Sequence, residues 1–214
     1  MRRPPTLKII EIFASLQGEG LRQGQPTVFI RFSGCNLKCP FCDTPYAWNG
    51  GRELTPSQAL QKIQIIRGRY PADWACLTGG EPLLQDVSGL VKDLRREGLK
   101  IQVETNATLY RPLAVDWYTV SPKPPRYSYR PEYRKRAKEV KLVVTRSLSF
   151  GMVERLRKEF PARIPLLLQP ESNAAWSATK SLRMLGRAQK AGLKNIRLDS
   201  SSERIDAPPS SFLL

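Results

Sequence analysis

Three cysteines, Cys35, Cys39 and Cys42, stand within eight residues in a C-x3-C-x2-C spacing. A fourth, Cys76, lies in the apolar stretch Trp74-Ala75-Cys76-Leu77 and reads as a small hydrophobe of a buried strand. Clustered thiols in a reducing compartment favour a metal centre over disulfides. A closed structural zinc site takes four protein ligands, and the chain has no histidine to complete one. Three thiolates on a short loop suit a [4Fe–4S] cube, in which the fourth iron stays open to a substrate or cofactor. Spacing alone leaves both metals open. Pro40 breaks helical hydrogen bonding, so the cysteine segment is expected to be a loop. The lack of histidine also excludes Ser-His-Asp hydrolysis and imidazole acid–base catalysis.

The elements that must carry these thiols follow from the apolar pattern. Strands are expected over residues 27–32, 74–77, 100–103, 117–120, 140–145, 164–168 and 195–198. Helices are expected over 57–69, capped by Thr55 with Pro56 in the first turn, and over 86–97, 148–160 and 175–191. Strands alternating with helices make an α/β fold with a parallel sheet. The motifs that follow the strands are the cysteine loop, Thr78-Gly79-Gly80-Glu81-Pro82, Glu104-Thr105-Asn106, Ser121-Pro122-Lys123 and Gln169-Pro170. Strand carboxyl ends carry the site in such sheets, so these motifs should meet on one rim. Residues 122–138, rich in Pro, Tyr and Arg, read as an extended loop. No linker or repeat divides the chain, so residues 1–198 are expected to form one domain.

Lys and Arg number 35 against 19 Asp and Glu, a net charge of +16. Such a balance suits an anionic partner, but the basic residues are scattered outside one run, 126–141, which reads as a solvated surface loop. Nucleic-acid binding is therefore not expected. No apolar run approaches membrane-span length, and the basic start Met1-Arg2-Arg3-Pro4-Pro5 lacks the apolar stretch of a signal peptide, so the expected compartment is the cytoplasm.

Cys35-Asn36-Leu37-Lys38-Cys39-Pro40-Phe41-Cys42 together with Thr78-Gly79-Gly80-Glu81-Pro82 resembles the signature of the radical S-adenosylmethionine superfamily. Within it the chain resembles the 7-carboxy-7-deazaguanine synthase family, over about residues 9–198. The resemblance is carried by Glu11-Ile12-Phe13, Leu16-Gln17-Gly18-Glu19-Gly20, Gly24-Gln25-Pro26-Thr27 and the stretch Phe29 to Cys35. It continues in Cys42-Asp43-Thr44, Trp48, Glu104-Thr105-Asn106, Ser121-Pro122-Lys123 and Leu168-Gln169-Pro170.

That resemblance implies a truncated, partial β/α barrel, a homodimer, and a lyase reaction. The reaction rearranges 6-carboxy-5,6,7,8-tetrahydropterin to 7-carboxy-7-deazaguanine with loss of ammonia, in queuosine and other 7-deazapurine synthesis. It assigns Cys35, Cys39 and Cys42 to a [4Fe–4S] cluster. It assigns Phe41, Cys42, Asp43, Gly79, Gly80, Glu81, Glu104, Asn106, Ser121, Pro122, Lys123 and Gln169 to S-adenosylmethionine, and Thr44 to Mg2+. Leu16, Gln17, Gly18, Arg31 and Thr78 fall to the pterin, and the radical is carried by the cofactor rather than by a catalytic side chain. Arg31 suits a carboxylate because its planar fork gives two parallel hydrogen bonds; its structural alternative is an ion pair within this chain. The cluster needs electrons, which fits docking of a flavodoxin-like or other acidic reductase.

The family ends its last strand in Pro-Gln-x-His-Lys. Here Asp199-Ser200-Ser201-Ser202-Glu203 follows Leu198, so residues 199–214 are expected to be an atypical, poorly ordered tail. Two other readings fit parts of the pattern. One is a glycyl-radical activating enzyme of the same superfamily, which the loop Gln17-Gly18-Glu19-Gly20 and Cys42-Asp43-Thr44 argue against. The other is a basic nucleic-acid-binding protein with structural zinc.

Overall fold

The computed structural model describes residues 5–199. β1 (Leu7–Leu16) runs antiparallel to β2 (Pro26–Phe32), setting Phe13 opposite Phe29 and Glu11 opposite Arg31. A short β3 (Arg52–Leu54) lies against the outer edge of β1 at Leu7, Lys8 and Ile9. The chain then alternates: α1 (Pro56–Arg69), β4 (Trp74–Gly79), α2 (Ser88–Arg96), β5 (Lys100–Thr105), β6 (Trp117–Val120), α3 (Tyr133–Arg136), β7 (Ala137–Val144), α4 (Phe150–Glu159), β8 (Leu166–Pro170), α5 (Ala175–Lys190) and β9 (Ile196–Leu198). Among the described residues the strands form one sheet in the order β3-β1-β2-β4-β5-β6-β7-β8-β9. Every neighbouring pair from β2 to β9 is parallel. Among the described residues β3 and β9 each pair on one side only, so the sheet is a partial barrel that does not close.

The helices form where the sequence supplies caps. Thr55 accepts from the Gln58 N–H while the Gln58 side chain returns the bond, a capping box that starts α1. Ser149 does the same one-sided service for α4 through Met152. α2 begins at Ser88 rather than at the expected residue 86, because the Asp86 carboxylate accepts the Ser88 N–H from outside the helix.

Successive strand residues face opposite sides of the sheet. One side sets Val28, Ile30, Phe32, Ala75, Leu77, Ile101, Val103 and Leu142 into the apolar core with Leu90, Leu94 and Leu156 of the helices. The other side carries Thr27, Gln102, Thr119, Glu139 and Lys141, all buried and all polar. Cys76 is fully buried. It alternates with Ala75 and Leu77, so it lies on the polar side rather than in the apolar core expected of it.

Three expectations are corrected. The sheet is mixed, because β1 and β3 add an antiparallel flank to the parallel strands. Residues 122–138 are not one extended loop: α3 forms inside them and β7 begins at Ala137. The run 126–141 is a solvated surface only in part: Arg126, Arg130, Arg134, Lys135, Arg136 and Lys138 are exposed, but Tyr127, Tyr133, Glu139 and Lys141 are buried. The Tyr133 hydroxyl donates to the Leu109 carbonyl at 2.7 Å, which anchors the run on the domain. Among the described residues no helix is long and apolar enough to cross a membrane.

Candidate functional site

A cavity of about 1200 Å³ opens where the parallel strands end, and most of the motifs singled out in the sequence line it. The cysteine segment is irregular, as Pro40 requires, with a turn closed by the Cys42 N–H on the Cys39 carbonyl at 3.1 Å. Cys35, Cys39 and Cys42 are free, half-buried and on the cavity wall. Burial pushes the Cys39 thiol above its ordinary range; the Lys123 ammonium pulls it back, and the neighbouring Cys35 and Cys42 push it further. Among the described residues no three His, Cys, Asp or Glu side chains stand in a ligating array. The fit to a cluster rests instead on the donor set: three free thiols, one loop, one cavity.

Gly79 and Gly80 show why that loop sits where it does. At Gly79, φ is +118°, and a Cβ there would come within 2.4 Å of the Phe32 carbonyl oxygen. A Cβ on Gly80 would come within 2.0 Å of the Gly34 carbonyl oxygen. The turn bonds to the same segment through Gly80 N to Phe32 O at 3.1 Å and Glu81 N to Gly34 O at 2.7 Å. The glycines therefore let the end of β4 press against the backbone leading into Cys35. The loop is tied a second time by Asn106, whose amide donates to Asn36 Oδ1 at 2.9 Å. Asn36 donates onward to Thr108 at 2.8 Å.

Glu81 departs from its expected place. Its side chain is fully buried and off the cavity wall. The carboxylate accepts from Asn106 N at 2.8 Å, Thr105 Oγ1 at 2.9 Å and Leu83 N at 3.1 Å. It pins β4 to β5, and burial pushes its carboxyl up to about 7. Pro122 also stays off the wall, while its neighbours Ser121 and Lys123 line it. Lys123 donates to Ser121 Oγ at 2.7 Å, and Ser121 donates to the Lys141 carbonyl at 2.9 Å. Burial, then the nearby Lys141 charge, lower the Lys123 pKa.

The other expected residues converge. Glu104 is gripped on both oxygens, by Gln17 Nε2 at 3.0 Å and by Thr78 Oγ1 at 2.8 Å. Leu16 and Gly18 flank Gln17 on the same wall, with Leu16 partly in solvent. Arg31 lines the cavity and also makes the internal ion pair, Nε to Glu11 Oε1 at 2.6 Å, between the rings of Phe13 and Tyr46. Phe41 and Asp43 line it near the thiols, and Thr44, buried behind them, donates to Asp43 Oδ1 at 3.0 Å. Gln169 donates to Glu19 Oε1 at 2.5 Å, and Lys141 pairs with the other Glu19 oxygen. Burial acts to raise the Glu19 pKa, but the Lys141 charge and the bonds from Lys141 and Gln169 outweigh it and hold the group below its ordinary value.

Sequence patterns alone do not single out Glu19 and Lys141 as a site pair. The signal was present, since Glu19 sits in the quoted Gln17-Gly18-Glu19-Gly20 motif and Lys141 interrupts an apolar strand. Asp199, assigned to the tail, belongs with the domain. It is buried, donates its N–H to Leu168 O at 2.9 Å, and accepts the Gly20 N–H on both carboxylate oxygens, at 3.0 and 3.2 Å. Residues 200–214, and with them the expectation of a poorly ordered tail, lie outside the described residues.

A half-open β/α barrel with three cysteines after its first parallel strand and a Gly-Gly turn after the next defines a class. Residues 29–199 match the model of the Radical SAM superfamily, and the chain belongs to that superfamily. Within it the similarity is to proteins named 7-carboxy-7-deazaguanine synthase. Identity is 36% over 194 residues with that of Aquifex aeolicus, covering 86% of this chain and 87% of the relative. It is 47% over 116 residues with that of Bacteroides thetaiotaomicron, where the match spans 54% of this chain and only 60% of the relative's length. The crystal structure of QueE from Escherichia coli superposes with a TM-score of 0.75 at 27% identity, over 91% of this chain and 93% of that one.

Proposed function

We propose that this protein is a lyase that converts 6-carboxy-5,6,7,8-tetrahydropterin to 7-carboxy-7-deazaguanine with release of ammonia, serving queuosine or other 7-deazapurine synthesis. The observation that carries the reading is the carboxylate of Glu104, clasped by Gln17 on one oxygen and Thr78 on the other. Glu104 belongs to the cofactor set and its two partners to the pterin set, so one half-buried group on the wall joins both halves of a single cavity.

Cys35, Cys39 and Cys42 would hold a [4Fe–4S] cluster. When bound, the cluster supplies the electron for reductive cleavage of S-adenosylmethionine, the source of the radical that starts the rearrangement. The chain's own residues bind and orient. Gly79 and Gly80 hold the cofactor wall against the cysteine loop, and the Ser121–Lys123 pair offers a hydroxyl and an ammonium to the cofactor's polar groups. Arg31, steadied on one edge by Glu11, presents its remaining guanidinium N–H groups to the pterin carboxylate. Gln17, with Gly18 and Leu16, forms the facing wall. Thr44 and Asp43 are the proposed place of a Mg2+ ion, a weak oxygen site completed by substrate. A flavodoxin-like or other acidic reductase as donor suits the +16 charge of the chain. A homodimer and a cytoplasmic setting complete the reading, with no nucleic acid or membrane partner.

The test is anaerobic reconstitution with iron and sulfide, then incubation with S-adenosylmethionine, reductant and 6-carboxy-5,6,7,8-tetrahydropterin. The expected products are 7-carboxy-7-deazaguanine and ammonia in equal amounts. Cofactor cleavage that ignores the pterin and yields no deazapurine would overturn the assignment.

A further inference from the structure

Behind the cavity wall lies a circuit of buried polar groups centred on Gln102, which meets the proposed ligand contacts at Gln17 and Glu104. Gln102 on β5 is 1% exposed and is not on the cavity wall. Its Oε1 accepts from Arg22 Nη1 and from Gln17 Nε2, the latter at 3.1 Å. Its Nε2 donates to Thr119 Oγ1 at 3.0 Å and, at longer range, to Glu104 Oε1 at 3.4 Å. Thr119 donates to Glu139 Oε1 at 2.7 Å, and Glu139 Oε2 accepts the Leu21 N–H at 2.8 Å. Leu21 adjoins Arg22, so the circuit closes on the turn Gly20–Arg22 that follows Gln17 and Glu19.

The circuit has a fixed sense. A guanidinium only donates and an ionised carboxylate only accepts. Arg22 therefore draws the carbonyl end of Gln102 toward itself, which sends the NH2 end to Thr119 and leaves the Thr119 hydrogen for Glu139. The same carbonyl takes one N–H of Gln17, whose second N–H goes to Glu104 and whose own carbonyl accepts the Glu19 N–H at 3.3 Å. A flipped Gln102 would set an NH2 group against both the guanidinium and the Gln17 amide. Arg22 cannot relax to allow this. It is 1% exposed, bonded to Gln25 at 3.0 Å and Thr27 at 3.1 Å, with its guanidinium 3.5 Å over the Trp74 ring. The turn is equally fixed, because a Cβ on Gly20 would come within 2.5 Å of Glu139 Oε1.

We propose that Gln102 is a positioning residue of this site: with Arg22 it dictates which end of the Gln17 carboxamide meets Glu104 and thereby fixes the loop that faces the pterin. The inference rests on the assignment of Gln17 to the pterin, but its structural half can be read without any ligand. Two variants separate the causes. Gln102→Leu removes the amide. Gln102→Glu keeps its size: ionised, it accepts from Arg22 but cannot donate to Thr119 and repels Glu104. Protonated, it regains one donor for Thr119 and keeps an acceptor for Arg22, the native pattern less the long bond to Glu104. The titratable groups around position 102 are Arg22, Glu104, the Cys76 thiol beside it on β4 and, one bond further, Glu139, so the native chain is measured at the same pH values as the reference.

The first readout is hydrogen exchange in the ligand-free protein. The Glu19, Gly20 and Leu21 amides should exchange about tenfold faster in Gln102→Leu, while those of Val153 and Leu156 in α4 stay native. In Gln102→Glu the same loop amides should be unprotected near about pH 8 and regain protection as the pH falls to about 4, the ordinary range of a glutamic acid, after correction for intrinsic rates. The second readout is the reconstituted enzyme, in which the pterin KM should rise about tenfold with kcat less affected, and recover in Gln102→Glu as pH falls. Native protection at residues 19–21 in both variants would overturn the proposal. So would loosening spread equally into α4, or a Gln102→Glu chain indifferent to pH. A native chain that fails to turn over the pterin overturns the functional reading alone, because the exchange result still decides the role of Gln102.

Discussion

Replacing Gly80 with alanine should displace the cysteine loop without touching a thiol. The new Cβ would sit 2.0 Å from the Gly34 carbonyl oxygen and 2.5 Å from its carbonyl carbon, both backbone atoms that cannot swing aside. Real Cβ contacts stay beyond 3.0 Å, so Gly34 has to retreat by at least 1.0 Å. That retreat stretches or breaks the 2.7 Å bond from Glu81 N to Gly34 O, worth about 1 kcal/mol. Overpacking against backbone adds about 1–3 kcal/mol. Cys35 is bonded directly to Gly34, so the shift carries one of the three thiols away from the other two. Gly68 in α1 is the control: it is helical, nothing lies within 4 Å of a Cβ there, and Gly68→Ala should stabilise by about 0.5–1 kcal/mol. The assays are urea unfolding of the cluster-free chain and iron and sulfide content after anaerobic reconstitution. Gly80→Ala should lose about 2–4 kcal/mol and bind markedly less iron. Native stability together with native iron content would refute the argument that the glycine pair sets the position of the loop.

Cys39→Ala should lose both the brown colour and cofactor cleavage, because two thiolates leave two irons without protein ligands; normal iron content would remove Cys39 from the ligand set. Arg31→Lys keeps the charge and the partnership with Glu11 but loses the planar fork, so the affinity for the carboxylated pterin should fall about tenfold with S-adenosylmethionine affinity unchanged. Equal loss of both affinities by titration calorimetry would make Arg31 structural. Glu81 is held by burial with its carboxyl up at about 7, above the 4.5 of the unfolded chain. A raised carboxyl pKa makes the folded state most stable below 4.5 and costs stability as pH rises from there to about 7. Glu81→Gln should flatten that part of the profile in urea unfolding measured across it, and an unchanged slope would show that Glu81 is not its source.

Much of the architecture was legible because it depends on local patterns. The parallel strands announce themselves by β-branched runs, the first helix by Thr55 and Pro56, and the irregular cysteine loop by Pro40. The convergence of the strand-end motifs follows from βαβ topology, and the cavity gathers nearly all of them. What failed depended on contacts distant in sequence. β1 is a strand because β2 pairs with it, and its stretch of mixed polarity gives no clear period. Residues 122–138 looked like loop from their composition, yet Tyr127 and Tyr133 are buried by packing no local rule reveals. Glu81 and Pro122 share motifs with true wall residues, but in such a turn alternate positions face away. For Glu81 the direction is set by Thr105 and Asn106 of the next strand.

The polar side of the sheet explains both the success and its limit. A strand such as Lys-Ile-Gln-Val-Glu-Thr at 100–105 reads as half exposed, apolar inward and polar to solvent. In a partial barrel the polar face is itself an interior, so Gln102 is as buried as its apolar neighbours. Buried polar groups are costly unless paired, and here the loop between β1 and β2 supplies the partners: Gln17, Glu19, Arg22 and the N–H groups of Gly20 and Leu21. That loop bonds to β5, β7, β8 and the end of β9 through Gln102, Glu104, Glu139, Lys141, Gln169 and Asp199. A sheet left open at β9 is thus braced across its interior by a polar plug rather than by closure. The same plug carries Gln17 into the cavity, which makes the stability of the half-barrel and the shape of its ligand wall one set of hydrogen bonds. A substitution in that set, even one remote from any ligand, is then expected to change binding before it unfolds the domain, because each broken bond costs about 1 kcal/mol in stability while the wall depends on the sense of every bond in the circuit.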